Sequence, residues 1–434
     1  MDVSPQMIGT IGILLLFFLM FMRIPVAFTM VFIGFIGFWF VSGLKPSLNI
    51  MGSTYYHELG KSSFTAVPLF VFMGYLTYYT GIVTKLFETS SKWIGHVPGG
   101  LVQATILGGA GFGAISGSGT ASTATLARIA IPEMIKSGVD KRLAYGTVAS
   151  VGPLASLIPP SVLMIVVAIA TEQSIGKMLI GGLLPGILAA VVYMGLVFIL
   201  VKRNPAISTP IAKSTWKDRI SSLKQIGGFA FLVFFIVAGL YTGKFTPTES
   251  GAIGAFVVFI MFLIKHKLNI KMLQDALTQT IKTTSVIFLI IASSFIFSYF
   301  LTVTRIPAIL SDFLVNLPVA PIFILIAIVF MYLIVGMFMD MIAAMFITLP
   351  IIFPAIVSLG FDPIWFAVMV VFLAEVALVT PPFGLSLFII KGTVPGSDLR
   401  DVYKGSYPFI LADLVIIILL ILFPQIVTLL PSFM

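Results

Sequence analysis

The chain has 434 residues, 59% of them hydrophobic and only 9% charged, and its mean hydropathy is +1.14. Soluble domains carry roughly 25% charged residues, so an ordinary soluble enzyme or binding module is excluded. The absence of cysteine removes disulfides and thiolate metal sites. The net charge of +9 is gathered into a few loops, as membrane orientation demands, and points to no nucleic-acid partner.

Taken in chain order, the first apolar run is Ile8–Met22. It has no basic stretch before it and no small-residue cleavage site after it, so it reads as a spanning helix rather than a signal peptide. Further runs long enough for a ~30 Å hydrocarbon core follow. The predicted spans are about 5–22, 24–41, 64–80, 141–171 and 180–201, then 225–242, 248–265, 284–303, 362–391 and 405–424. Segments at about 81–95 and 304–316 have the pattern of amphipathic interfacial helices. The most basic loop, 202–224, belongs in the cytoplasm. Counting outward places 265–271 and 391–404 beside it and leaves both termini on the outer face.

Two segments depart from this pattern. Leu101–Ile115 is fifteen residues, about 22 Å of helix, and Ser116–Gly119 interrupts it before a second apolar arm, Ala121–Ile135. The spacing predicts a re-entrant hairpin over 100–135 with its tip at SGSGT, and a second over 321–358 broken at GMFMD (336–340). Hairpin tips leave helix-end N–H and C=O groups unpaired, which lipid tolerates only inside protein or beside a wet cavity. Close packing of helices through small residues is the competing explanation of one such cluster.

The hairpins are paired with broken helices. GPLASLIPPSV (152–162) and EVALVTPPFGL (375–385) each place a Pro-Pro pair inside a predicted span, where proline removes a donor and clashes with the preceding turn. Pro25 and Pro247, Pro132 and Pro354, and Pro159 and Pro381 all stand 222 positions apart. The chain therefore reads as two related halves, 1–215 and 216–434. Five crossings per half make the second copy enter from the opposite face, an inverted repeat of the kind secondary transporters use. Two ion sites are expected, one between the 116–120 tip and the 156–161 break, the other between the 336–340 tip and the 378–384 break.

GAISGSGTASTATLARIAIPEM, ASLIPPS, FTPTESGAIGA, GMFMDMIAAM and EVALVTPPFGLSLF together resemble the large membrane subunit of tripartite ATP-independent periplasmic (TRAP) transporters, over essentially the whole chain. The resemblance implies an all-α polytopic protein of the bacterial inner membrane, with periplasmic termini. It also implies an elevator in which a transport domain, 100–171 with 321–391, moves against a scaffold formed by the remainder, the two amphipathic helices acting as connecting arms. Coupling would be to Na⁺ at two or more sites, with no organic cofactor. Implied partners are a separate small four-helix membrane subunit, a periplasmic substrate-binding protein and an organic acid. C4-dicarboxylates and sialic acid are among the family's substrates, and the general pattern leans toward the sialic acid type.

Carried onto this sequence, the expected Na⁺ positions are Ser116, Ser118, Gly119 and Thr120 with Ser156 and Pro159, and Gly336 and Asp340 with Thr380 and Pro381. Ser116, Ser161, Asp340 and Arg128 are the candidates to face substrate. Asp340 stands 222 positions after Ser118. An acid at that depth binds Na⁺, bonds substrate hydroxyls or caps the second hairpin arm. Arg128 either counters a substrate carboxylate or pairs with Glu133 or another acid. Glu249 and Glu375 are expected in helix-packing hydrogen bonds, with proton coupling through Asp340 or Glu375 the alternative to Na⁺. His57, His96 and His266 fit a surface role. A channel also uses re-entrant loops, whereas no nucleophile–base pair, HExxH or acidic metal cluster suggests an enzyme.

Overall fold

The computed structural model describes residues 4–22, 24–266, 269–339 and 341–434, which are helical with no strand among them. The first half runs α1 (Pro5–Phe21), α2 (Val26–Ser42), α3 (Leu44–Leu59), α4 (Ala66–Thr80) and α5 (Ile82–Ile94). A hairpin of α6 (Gly100–Ser116) and α7 (Gly119–Lys136) follows, then α8 (Lys141–Leu154), α9 (Val162–Ala170), α10 (Ile175–Gly181) and α11 (Leu183–Arg203). The second half begins with α12 (Trp216–Tyr241), α13 (Pro247–His266), α14 (Ile270–Thr304) and α15 (Ile306–Val315). It continues with α16 (Pro321–Phe338), α17 (Met341–Ser358), α18 (Pro363–Val379), α19 (Leu385–Thr393), α20 (Leu399–Leu422) and α21 (Gln425–Thr428).

Local chemistry explains the matching punctuation of the halves. Gly138 (φ +81°) and Gly360 (φ +88°) take the left-handed conformation just past α7 and α17, where a residue without Cβ costs least. The amides that follow close the ends, Val139 N–H onto the Met134 carbonyl at 2.9 Å and Phe361 N–H onto that of Ile356 at 3.3 Å. Asp140 and Asp362 then cap α8 and α18, their carboxylates accepting from the Arg142 and Trp365 amides at 2.8 and 2.7 Å. The repeated Gly-x-Asp is thus a helix stop followed by a helix start.

One difference between the halves was not anticipated. The polar segment 44–59 forms α3, which ends at Gly60 and, after a 3₁₀ turn at Ser62–Thr65, meets the next helix at a 60° bend. The matching stretch of the second half is one continuous 35-residue helix, α14. Its residues 282–287, KTTSVI, contain neither Gly nor Pro to stop it, so the predicted 284–303 span is the apolar end of a longer rod. Among the described residues, five helical stretches are long and apolar enough to cross a membrane, or six with the bent pair counted as one. The other expected spans are shorter, such as α1 and α2 at 17 residues each, or are built from two pieces.

The broken helices form the core. Trp365–Val379 of α18 and Leu143–Leu154 of α8 are buried at every residue, as a helix apolar all round must be. The first hairpin packs on α8, and α16 and α17 pack on α18. A close helix crossing joins α8 to α20, where a Cβ on Gly146 would run into the Gly405 backbone.

Candidate functional site

The first hairpin breaks at two residues. Gly117 (φ +56°) ends α6, and Ser118 opens α7 as its N-cap, its hydroxyl accepting from the Ala121 amide at 3.5 Å. Around this turn Ser116 Oγ lies 2.6 Å from Ser122 Oγ, and Ser118 Oγ 3.4 Å from Thr120 Oγ1. The first broken helix is open over 155–161, with Ser161 capping α9 through its hydroxyl and the Met164 amide at 3.2 Å. The backbone carbonyls of Ser156–Pro160 accept no backbone hydrogen bond among the described residues. Both Pro-Pro bonds, 159–160 and 381–382, are cis.

Tip and break meet as expected. A Cβ built on Gly117 would lie 3.0 Å from the Val162 nitrogen and 3.1 Å from the Pro160 carbonyl oxygen. One on Gly119 would lie 2.8 Å from Glu375 Oε2, 3.0 Å from Pro153 Cα and 3.4 Å from Ser156 Oγ. Only glycine lets the start of α7 approach the break this closely.

The second pair is arranged differently in detail. Asp340 lies outside the described residues. Gly336 sits inside α16, not in the break, and its Cα faces Ala377 of α18 closely enough that a Cβ would come within 2.5 Å of that methyl group. Thr380 ends α18 with its hydroxyl donating to the Val376 carbonyl at 2.7 Å. Its own carbonyl accepts from Gly384, and that of Pro382 accepts from the Tyr403 hydroxyl at 2.7 Å. This break retains fewer free carbonyls than the first. Thr123 Oγ1 on the first hairpin lies 3.4 Å from Ser386 Oγ on α19, joining one half's hairpin to the other's broken helix.

A cavity of about 1130 Å³ opens beside the first tip. One wall comes from the hairpin body, with Ser116, Ser118, Gly119, Thr120, Arg128, Ser156 and Glu375. The other comes from α2, α4 and α14, with Tyr75, Tyr78, Tyr79, Gln279, Lys282 and Thr283 among its residues. Tyr75 and Thr283 share a hydrogen bond of 2.9 Å. Pro159, Ser161, Gly336, Thr380 and Pro381 do not line it; the Ser161 oxygen is committed to its cap.

Three charged groups on the wall stand out. Neither Arg128 nor Lys282 has an ion pair among the described residues, so the expected alternative of Arg128 with Glu133 is not formed. Glu375 is 3% exposed, and the Ser156 hydroxyl of the first break lies beside its carboxylate in looser geometry than a regular hydrogen bond. Glu249 instead accepts from the Thr246 amide at 2.8 Å and caps α13. His57 is exposed on α3, and His96 meets Arg219 at 3.2 Å. The contribution of Lys282 and the tyrosines carried no sequence signal, since they lie on helices far along the chain from the tip.

Known proteins share this architecture. A solved transporter, YdaH of Alcanivorax borkumensis, superposes with a TM-score of 0.66 over 88% of this chain and 89% of its own, at 12% identity, a likeness of fold alone. The C4-dicarboxylate TRAP transporter large permease protein DctM of Pseudomonas aeruginosa is 32% identical over 372 residues, covering 85% of this chain and 86% of that one. The 2,3-diketo-L-gulonate TRAP transporter large permease protein YiaN of Escherichia coli is 30% identical, covering 88% and 89%. The sialic acid TRAP transporter large permease protein SiaM of Vibrio cholerae is 26% identical, covering 95% and 96%. The family model described as the tripartite ATP-independent periplasmic transporter, DctM component, matches residues 13–426. With a family match over nearly its whole length, this chain belongs to the DctM-component family of TRAP transporters: a multi-pass large permease subunit, and not an enzyme.

Proposed function

We propose that the chain carries an organic acid across the bacterial inner membrane by Na⁺-coupled secondary transport. The observation that supports this most is the cavity wall. Oxygen-rich tip and break stand on one side, and cationic Arg128 and Lys282, without ion pairs among the described residues, face the same space. A carboxylate is the natural occupant of such a pair of cations.

An all-oxygen donor set fits the first Na⁺ site. The hydroxyls of Ser116, Ser118, Thr120 and Ser156, with the unpaired carbonyls of the break, suit a hard cation. Gly119 supplies the close approach, and Pro159 the interruption. At the second site Thr380 and Pro381 mark the break, Gly336 holds α16 against α18 beside it, and Asp340 is assigned there from its sequence position alone. Na⁺ bound at the tip would order it against the break, and coupling follows when the ordered tip binds the acid better than the free tip.

The shared element order at an offset of 222, read with odd crossings per half, supports an inverted repeat and an elevator. The cavity lies between the hairpin body and α2, α4 and α14, as a moving body against a scaffold requires. Packing of α20 on α8, α18 and α19, and of α11 on α20, favours placing α11 and α20 with the moving body, which the sequence reading left in the scaffold. The relatives act on different acids, so the substrate class is the carboxylate. A sialic acid is the first candidate for a cavity this rich in hydroxyls, and a C4-dicarboxylate is its competitor. The small membrane subunit and a periplasmic binding protein complete the system, and both termini are assigned to the periplasm.

Reconstitution with the small subunit and its binding protein tests this. Uptake driven by a Na⁺ gradient is the expected result, with competition among candidate acids naming the substrate. Uptake driven by a proton gradient in Na⁺-free medium contradicts Na⁺ coupling.

A further inference from the structure

The two arm helices begin alike. Thr80-Gly81-Ile82 joins α4 to α5 and Thr304-Arg305-Ile306 joins α14 to α15, the middle residues left-handed at φ +66° and +60°. These turns stand 224 positions apart, two more than the paired prolines. At the same offset Tyr75 matches Tyr299, and Lys282 matches Glu58. The bonds of the two tyrosines cross between the halves. Tyr75 of α4 shares its hydrogen bond of 2.9 Å with Thr283 of α14, whereas Tyr299 of α14 donates to Glu58 Oε1 of α3 at 3.4 Å. Each tyrosine reaches the other half within one residue of the corresponding position, as a two-fold relation requires.

The two clusters differ in charge and in cover. In the first, Tyr75, Lys282 and Thr283 line the large cavity, and Lys282 has no ion pair among the described residues. In the second, Lys61 pairs with Glu58 and stands 5.7 Å from the centre of the Phe295 ring. Tyr299, Glu58 and Lys61 do not line the cavity. Here α17 lies on α14 instead, the Ser294 hydroxyl donating to the Phe346 carbonyl at 2.9 Å. The Glu58 side chain is 13% exposed and that of Lys61 53%, so the carboxylate is the fixed member of the pair and the cation the one left facing outward. An exposed pair three residues apart adds little to stability, so holding the turn at Gly60 does not account for it. The second hairpin brings no cation to match Arg128, because position 350, 222 further on, is a proline.

We propose that Lys61 is the counterpart of Lys282 on the opposite side of the scaffold, the cation that receives the carboxylate of an organic anion when the second hairpin withdraws from α14. While that side is closed, Glu58 neutralises Lys61. The incoming carboxylate takes the place of Glu58, which keeps its bond to Tyr299. With proline at 350, the scaffold alone supplies the positive charge that Arg128 and Lys282 share on the inner side, and attraction to it concentrates the anion at the outer mouth. The assignment rests on the inverted repeat and elevator proposed above. Na⁺-driven uptake by the unsubstituted chain tests that transport reading, whereas substitutions at 58 and 61 test this one, so the two can fail separately.

The assay is initial Na⁺-driven uptake by proteoliposomes holding the chain and the small subunit. Binding protein loaded with N-acetylneuraminate, or with succinate where only that is carried, is added at rising concentration. Lys61→Gln and Glu58→Gln break the same ion pair, so a purely structural pair gives the same change from each. A receiving cation gives opposite changes. Lys61→Gln raises the half-saturating concentration about two- to fivefold, the range open to an exposed charge, and Glu58→Gln lowers it. Lys61→Arg leaves it in place, as does Lys45→Gln, which removes another exposed charge from α3. In this cysteine-free chain, Lys61→Cys behaves as Lys61→Gln does, and aminoethyl methanethiosulfonate, which rebuilds a cation on the folded protein, restores the curve. Shifts of the same sign from Lys61→Gln and Glu58→Gln, or no shift from either while unsubstituted uptake persists, overturn the proposal. So does an equal shift from Lys45→Gln, or an equal loss of affinity for the empty binding protein, which would place Lys61 on a docking surface.

Discussion

Gly119→Ala is the sharpest probe of the tip-and-break contact. The position is helical with no positive φ, so a methyl group adds no backbone strain. It adds volume where none is free, 2.8 Å from Glu375 Oε2, 3.0 Å from Pro153 Cα and 3.4 Å from Ser156 Oγ. Pro153 Cα is backbone of a fully buried helix and cannot yield, so the tip must withdraw. Overpacking of this kind costs about 1–3 kcal/mol, all of it charged to the docked tip. If docked and free tips are near balance before Na⁺ binds, the binding-competent fraction falls accordingly, and the half-saturating Na⁺ concentration for uptake rises by about 5- to 150-fold at 1.4 kcal/mol per decade. The assay is initial uptake by proteoliposomes across a Na⁺ series. Gly195→Ala, at a position with nothing within 4 Å of the added methyl, is the control that leaves the curve in place. A well-folded Gly119→Ala protein with an unchanged Na⁺ curve refutes the reasoning.

Three further outcomes are expected. Arg128→Ala and Lys282→Ala each raise the KM for the acid about tenfold, near the lower limit for a charged hydrogen bond because both side chains are exposed; an unchanged KM in uptake assays removes that cation from the substrate site. Gly146→Ala forces α8 from the Gly405 backbone of α20 and lowers stability in detergent by about 1–3 kcal/mol, seen as an earlier thermal transition; a native-like melt counts against the crossing. Asp401→Asn loses the bridges to Lys141 at 2.6 Å and Arg142 at 2.8 Å. Since both cations are about half exposed, the same melt should shift only slightly, and complete loss of the fold would show that this corner matters far more than its exposure allows.

What the sequence disclosed was its punctuation. Pro-Pro pairs, Gly-x-Asp stops and the SGSGT turn each impose a local geometry that depends on a few neighbouring residues, so the helix breaks after Ser116, after Leu154 and after Val379 were legible. GMFMD was legible only in part. The helix runs through Gly336 to Phe338, because a single glycine among apolar residues does not end a helix that has a partner such as Ala377 to pack on. The α3–α4 bend was hidden because LKPSLNIMGSTYYHEL has neither a clear apolar face nor a spanning length. Cavity partners such as Lys282 and Tyr75 were hidden for another reason. They reach the tip through tertiary packing of α4 and α14, and nothing in their own neighbourhoods distinguishes them from interfacial residues. Glu375 was visible as an intramembrane acid, yet its place against Gly119 and Ser156 could be read only from its surroundings.

The chain contains no cysteine, which permits a direct test of whether the first tip responds to Na⁺. Ala121→Cys places one thiol on the cavity wall next to the tip, and its rate of modification by a membrane-impermeant reagent is measured in Na⁺, K⁺ and choline at equal ionic strength, with and without the acid. The expected result is slowing by Na⁺ alone, deepened when the acid is added. Equal rates in all three salts would contradict a cation-ordered tip and, with it, the proposed basis of coupling.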